Sequence, residues 1–201
     1  MNSKIIAITG GSGSGKTTIA NMLKSHYADD ALLLSLDSYY NDLSHLDNNE
    51  RSNVNFDHPD SQDISLLHSD ILSLKNGNSV YIPEYCFVTH TRKINKQHEP
   101  SKPVIILEGL YAYYDKKLAD QVDYKIFVDV SPDIRLIRRI RRDMLERGRD
   151  IGSILNQYES TVRTMYLEHI DKQKSEADLI LLNDGETCLQ ELLDNVIKNL
   201  K

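Results

Sequence analysis

A chain of 201 residues with 40% hydrophobic and 27% charged residues has the length and composition of a soluble globular domain with a sizeable core. Its net charge of -6 argues against a general nucleic-acid scaffold, which carries a basic excess. Cys86 and Cys188 form neither a disulfide framework nor a zinc spacing and read as reduced thiols, and the opening MNSKIIAITGG holds too short an apolar run for a secretory or membrane-spanning segment, so the expectation is a cytoplasmic protein without a membrane partner.

In chain order, KIIAIT is a β-branched run ending at Gly10, hence a buried strand. GKTTIANMLKSHY follows with helical spacing, and Ile19, Met22 and Leu23 share a face. ALLLSL is a second strand. Residues 38 to 60 are polar, rich in Asn and Asp, and without period; a loop of that length in a compact domain tends to be functional. SQDISLLHSDILSLKNG reads as an amphipathic helix with Ser61 as N-cap and Asn76-Gly77 as its end. SVYIPEYCFVTHTRKI alternates loosely around a proline, which predicts an edge hairpin at about 79–98. PVIILEG and YKIFVDV are the third and fourth strands. SPDIRLIRRIRRDMLERG is a helix capped by Ser131 with Pro132 at its first position. IGSILNQYESTVRTMYLEHI is another helix, ADLILLNDG the fifth strand and ETCLQELLDNVIKNL a closing helix. Continuous apolar strands alternating with helices predict an α/β fold, one domain over 1–201, with a parallel five-stranded sheet flanked by helices.

Between the first strand and the first helix lies Gly10-Gly11-Ser12-Gly13-Ser14-Gly15-Lys16-Thr17-Thr18. It fits the phosphate-loop pattern in the strand–helix context that the pattern requires. The glycines let backbone N–H groups converge on phosphate oxygens, and the helix start adds positive potential. Lys16 reaches the outer phosphates, and the Thr17 hydroxyl can ligate Mg²⁺. A dinucleotide loop would need glycine at position 16. A guanine clamp fails at Asn95-Lys96-Gln97-His98, which lacks the aspartate. The chain is short for a transporter motor. A P-loop kinase remains, and it needs an acceptor pocket and a lid.

Seven of the ten arginines fall between 135 and 149. Arg135, Arg138, Arg139 and Arg142 share one helix face; Leu136, Ile137, Ile140 and Met144 share the other. The expectation is an apolar side packed on the core and an opposite guanidinium stripe awaiting anions, within a lid at about 135–165. Like charges three and four apart oppose the bare helix, and a bound anion offsets that. Arg147 and Arg149 flank Gly148, which suits a moving segment.

Asp37 stands just past the second strand and Glu108 at the end of the third, where ligands gather on a parallel sheet. Together with GGSGSGKTT, NFDHPD, the Tyr85-x-Phe87-x-x-His90 spacing and RDMLERGRDIGSILNQY, they resemble the uridine/cytidine kinase family of P-loop nucleoside kinases, in order from about residue 4 to about residue 183. Phosphoribulokinases and pantothenate kinases are similar in loop and layout. The resemblance implies ATP-dependent phosphorylation of the 5′-hydroxyl of uridine, cytidine or both, with GTP left open as donor. It implies Asp37 as general base beside Lys16, and Thr17, Glu108 and Asp37 around Mg²⁺. Tyr40 would lie beside the nucleoside, with Asp57 and Arg139 on the ribose hydroxyls. Tyr85 and His90 would meet the pyrimidine edge, and Phe87 would pack on the ring. Arg142, Arg147 and Arg149 would serve phosphates, and Gln157 with Arg149 would close over the nucleoside. It also implies a homo-oligomer, commonly a tetramer. Cys86 stands where the family usually carries an aspartate. Chemistry agrees: a carboxylate suits a vicinal diol, and imidazole can donate to uracil or accept from cytosine. A kinase for another small alcohol and a catalytically silent nucleotide-binding module are the alternatives; the first does not need Tyr85 and His90, the second does not need Asp37.

Overall fold

The computed structural model describes residues 3–47, 50–51 and 54–200. Strands β1 (Lys4–Thr9) and β2 (Ala31–Ser35) come first, then the hairpin β3 (Val80–Cys86) and β4 (Thr91–Glu99), then β5 (Val104–Glu108), β6 (Tyr124–Asp129) and β7 (Leu179–Leu182). Five of them form a sheet in the order β2-β5-β1-β6-β7, parallel at every junction. All of β5 and all but Lys4 of β1 are buried. That is why these strands read as continuous apolar runs: helices cover both faces. Ile5, Ala7, Ile105, Leu107 and Phe127 face α2 (Ile64–Lys75). Ile6, Ile8, Ile106 and Val128 face α1 (Lys16–Tyr27) and α6 (Leu189–Leu200). The alternation follows from the two-residue period of a strand.

The remaining helices are the short α3 (Lys116–Ala119), α4 (Pro132–Leu145) and α5 (Ile151–Gln157). α5 runs on through π-helical turns at Tyr158–Val162 and Tyr166–Ile170 to Glu176. Among the described residues no helix is long and apolar enough to cross a membrane.

Two expectations are corrected. The N-cap of α2 is Asp63, whose carboxylate accepts from Leu66 N–H at 3.0 Å, not Ser61. Gln62 is extended, with φ -107° and ψ 142°, so the helix cannot start before it. The Ser61 hydroxyl instead donates to the carbonyls of His58 and Phe56. The larger correction concerns α4, whose faces are reversed. Arg135, Arg139 and Asp143 are its buried residues, while Ile137 and Met144 are 48% and 46% exposed. The helix lies across the phosphate loop rather than on the sheet, so its inner face meets polar backbone and the arginines turn toward it. Arg135 lies over the Tyr166 ring at 3.6 Å and donates to Val130 O.

Candidate active site

The phosphate loop sits at the carboxyl end of β1 and opens α1. Two glycines are there because nothing else fits. Gly13 has φ 80°, and a Cβ on it would stand 2.4 Å from the Arg135 carbonyl oxygen. Gly15 has φ 91°, and its Cβ would stand 2.5 Å from Asn183 Nδ2. Both combine the left-handed region with a close neighbour. Asn183 Nδ2 donates to Ser14 O at 2.8 Å, fixing the loop to the end of β7.

Beside the loop the ends of β2 and β5 meet. Thr17 Oγ1 donates to Glu108 Oε2 at 3.0 Å, and Ser35 Oγ donates to Glu108 Oε1 at 2.6 Å. The Asp37 N–H donates in turn to Ser35 Oγ at 3.3 Å. Burial, then the Glu108 carboxylate, push the Asp37 carboxyl above the usual aspartate value; Lys16, Arg147 and Arg142 pull it back. Burial lowers the Lys16 ammonium, against Glu108 and Asp37, which hold its proton. Two carboxylates and a hydroxyl are hard oxygen donors that suit Mg²⁺, which keeps waters and substrate phosphates as its other ligands. Among the described residues no cluster of three His, Cys, Asp or Glu side chains offers an all-protein metal cage.

Next to the phosphate loop lies a network of side chains from four segments. Arg139 donates from Nη1 to Ser12 Oγ and from Nη2 to Gln157 Oε1, both at 2.9 Å. Arg149 Nη1 donates to the same Gln157 oxygen at 2.6 Å. Gln157 Nε2 and Thr161 Oγ1 donate to Asp57 Oδ2 at 3.2 and 3.0 Å. Burial lowers the Arg139 guanidinium, while Asp57 and Asp143 favour its charge. Thr161 lies in the first π-helical turn and Tyr166 in the second. Such widened turns recur at functional sites because they re-aim side chains.

The β3–β4 hairpin packs against the turn that carries Asp37. Arg92 Nε donates to Tyr40 O at 3.0 Å, and Arg92 Nη2 pairs with Asp63 Oδ2 at 3.0 Å. Tyr40 bridges the two regions: burial, then Asp37 and Asp57, raise its phenol well above the usual value. Its ring lies 5.2 Å from Tyr85, 5.8 Å from Phe56 and 6.1 Å from Phe87. Phe56 stacks on His90 at 4.3 Å with planes 18° apart. His90 has φ 55°, and its N–H closes the hairpin turn on Cys86 O at 2.8 Å. Burial, then the Arg51 charge, lower the His90 imidazole and so favour its neutral form. Burial pushes the Tyr85 phenol up to about 12. Tyr85 Oη and His90 Nδ1 are buried without a hydrogen-bond partner; Phe87, 53% exposed, stands at the rim.

Thus the residues expected from the sequence fall into one continuous region. Ser12 to Thr17, Asp37 and Glu108 gather at the phosphate end; Tyr40, Asp57, Arg139, Arg149 and Gln157 follow; Tyr85, Phe87 and His90 line the hairpin. Sequence reasoning missed Ser35, Phe56, Thr161 and Asn183. Ser35 and Asn183 each end a parallel strand, the one signal that could have found them. Phe56 precedes Asp57 in the quoted motif. Thr161 carries no local signal.

Topology and loop together define a P-loop kinase, a phosphotransferase built on a parallel sheet. The chain belongs to the phosphoribulokinase / uridine kinase family, whose sequence model matches residues 5–188. It is 45% identical over 187 residues to a uridine kinase of Pasteurella multocida, covering 90% of this chain and 87% of the relative. It is 43% identical over 178 residues to a uridine kinase of Streptococcus pneumoniae, covering 88% and 84%. Two solved structures share the fold: a phosphoribulokinase from Rhodobacter spheroides, with TM-score 0.66, 14% identity and 90% and 70% coverage, and a D-glycerate 3-kinase from Cryptococcus neoformans, with 0.58, 16%, and 85% and 80%.

Proposed function

We propose that this chain transfers the γ-phosphoryl group of ATP to the 5′-hydroxyl of uridine or cytidine. The observation that carries the reading is the pair of buried, unpartnered polar atoms, Tyr85 Oη and His90 Nδ1, next to the aromatic group Tyr40, Phe56 and Phe87. Buried polar groups normally have partners; a base supplies them from the edge of a flat ring that also packs among aromatic side chains, whereas a sugar phosphate or pantothenate has no such ring. The curated relatives named uridine kinase support the same acceptor class.

In this reading the ribose hydroxyls exchange with Gln157 and Thr161 for the Asp57 carboxylate, and Arg139 steadies the diol. Asp37 takes the 5′-hydroxyl proton as the O5′–P bond forms and the bond from Pγ to the bridging oxygen of ADP breaks. Lys16, Arg142 and Arg147 neutralise the charge on the transferring group, since phosphoryl transfer rests on positioning and electrostatics. Thr17, Glu108 and Asp37 would hold Mg²⁺, which would supply charge neutralisation to the phosphates. The 135–165 segment acts as the lid, 1–201 as a single kinase domain, and the protein works in the cytoplasm as a homo-oligomer, a tetramer by resemblance, without nucleic-acid or membrane partners; light scattering reads the assembly.

The test is ADP release by pure protein with Mg-ATP, and with Mg-GTP in parallel, across uridine, cytidine, pantothenate and a sugar phosphate. Uridine or cytidine turns over and the other acceptors do not. Protein that binds ATP and phosphorylates neither nucleoside overturns the reading.

A further inference from the structure

The lid arginines are organised around one carboxylate that the proposed chemistry leaves unused. Asp143 of α4 is fully buried, at 0% exposure. Its two oxygens face different pairs. Oδ1 accepts from Arg142 Nε at 2.8 Å, pairs with Arg142 Nη2 at 2.7 Å and has Arg147 Nη1 at 3.7 Å. Oδ2 faces Arg139 Nε at 3.5 Å and Arg149 Nη1 at 3.7 Å. Neither Oδ2 nor Arg139 Nε has a properly formed hydrogen bond there. The Arg149 N–H also reaches back to Asp143 O at 3.0 Å, across the Gly148 turn.

The pairs differ in what else they face. Arg142 and Arg147 are the arginines whose charge acts on Asp37. Arg139 and Arg149 are the two that hold Gln157, and Gln157 holds Asp57. One oxygen therefore holds the arginines that act on Asp37 and the other the arginines that hold Gln157, with Arg139 also reaching the phosphate loop at Ser12.

We propose that Asp143 is a positioning residue that couples donor binding to acceptor binding. The proposal rests on the nucleoside-kinase reading above. Without a donor, Arg142 holds Oδ1 tightly and Oδ2 makes only long contacts. Triphosphate oxygens compete for Arg142 and Arg147. As these turn away, the carboxylate charge falls to Arg139 and Arg149, which close onto Oδ2 and set Gln157 over the ribose. Charge-assisted guanidinium–carboxylate bonds are strong and geometrically demanding, so partner exchange at one carboxylate moves both halves of the lid. Coupling of binding is reciprocal: the nucleoside tightens the triphosphate by the same factor.

The experiment measures uridine Kd by calorimetry, with and without saturating Mg²⁺ and a non-hydrolysable ATP analogue. Wild type binds uridine about tenfold more tightly with the analogue, within the usual range of such couplings. In Asp143→Asn that ratio falls to about one, and in Asp143→Glu, which keeps the charge, it is intermediate. A melt checks folding; if the Asn variant does not fold, the Glu variant alone must lower the ratio. A structural role shifts both uridine affinities together and leaves the ratio at the wild-type value, which overturns the proposal, as does a wild-type ratio of one. Wild type that binds the analogue but no pyrimidine nucleoside overturns the kinase reading and this proposal with it. Wild type that turns over uridine while Asp143→Asn keeps its ratio sinks this proposal alone.

Discussion

Asp37, the proposed base, is held by the fold at a disadvantage. Burial and the neighbouring Glu108 raise its pKa, and Lys16, Arg147 and Arg142 only partly offset them. For activity the sign is simple: the base must be ionised, so kcat/KM for the nucleoside falls at acid pH, where the carboxyl is protonated. For stability the sign is opposite. A folded-state pKa above the unfolded one favours the protonated form, so the contribution is present at low pH and is lost as pH rises through the folded pKa. At neutral pH, Asp37→Asn therefore melts higher than wild type, binds ATP and loses turnover by about 10²–10⁴-fold, the usual worth of a positioned base. Melting curves and ADP release check both halves; a variant that stays active removes Asp37 as base. Tyr85 poses a similar trade. Its hydroxyl is buried without a partner, and such a group costs about 1–3 kcal/mol. Tyr85→Phe raises the melting temperature of the ligand-free protein, raises the nucleoside KM about tenfold through a lost hydrogen bond and leaves the ATP KM unchanged.

At the scale of elements, the hairpin depends on a few polar ties. Arg92 joins β4 to Tyr40 O, Tyr39 O and the Asp63 carboxylate, and Asp63 also caps α2. Arg92→Ala lowers stability by about 1.5–3 kcal/mol, the worth of charge-assisted bonds, and raises the nucleoside KM with the ATP KM unchanged. Denaturant melts and paired KM measurements read this; equal changes in both KM values contradict the hairpin's assignment to the nucleoside. The central strands were legible because a buried parallel strand is an unbroken apolar run; β7 is also an apolar run, although Ile180 and Leu182 are exposed at the sheet edge, and Pro83 marks the hairpin as an edge. α4 was legible as a helix and misread in orientation. Periodicity says which residues share a face, not which face turns inward; that was decided by Arg135 on Tyr166 and Arg139 on Ser12, contacts 31 and 127 residues apart in sequence. The site was legible where its residues sit in motifs, as Lys16, Asp37 and Asp57 do. Thr161 escaped notice because its partner Asp57 lies 104 residues away in sequence; the partners Arg139, Arg142 and Arg147 of Asp143 are local, but periodicity did not show that its carboxylate turns inward.

At the scale of the whole molecule, the charge distribution opposes the sum. The chain carries a net -6, yet residues 135–149 hold seven arginines against two acids, and α4 directs several of them toward the phosphate loop. A triphosphate therefore meets a chain of net negative charge with a local arginine cluster at 135–149. Exposed charges act only over a Debye length, about 8 Å at physiological salt; within that reach a local cluster governs encounter more than net charge does. The nucleoside is neutral and feels neither. Raising ionic strength from about 0.05 to about 0.5 M therefore raises the ATP KM several-fold and leaves the nucleoside KM nearly unchanged. Initial-rate measurements at several salt concentrations, with the second substrate saturating, separate the two. If both constants rose in parallel, salt would be acting on the lid's closure rather than on the attraction of phosphate, and the arginine cluster would be a structural strut.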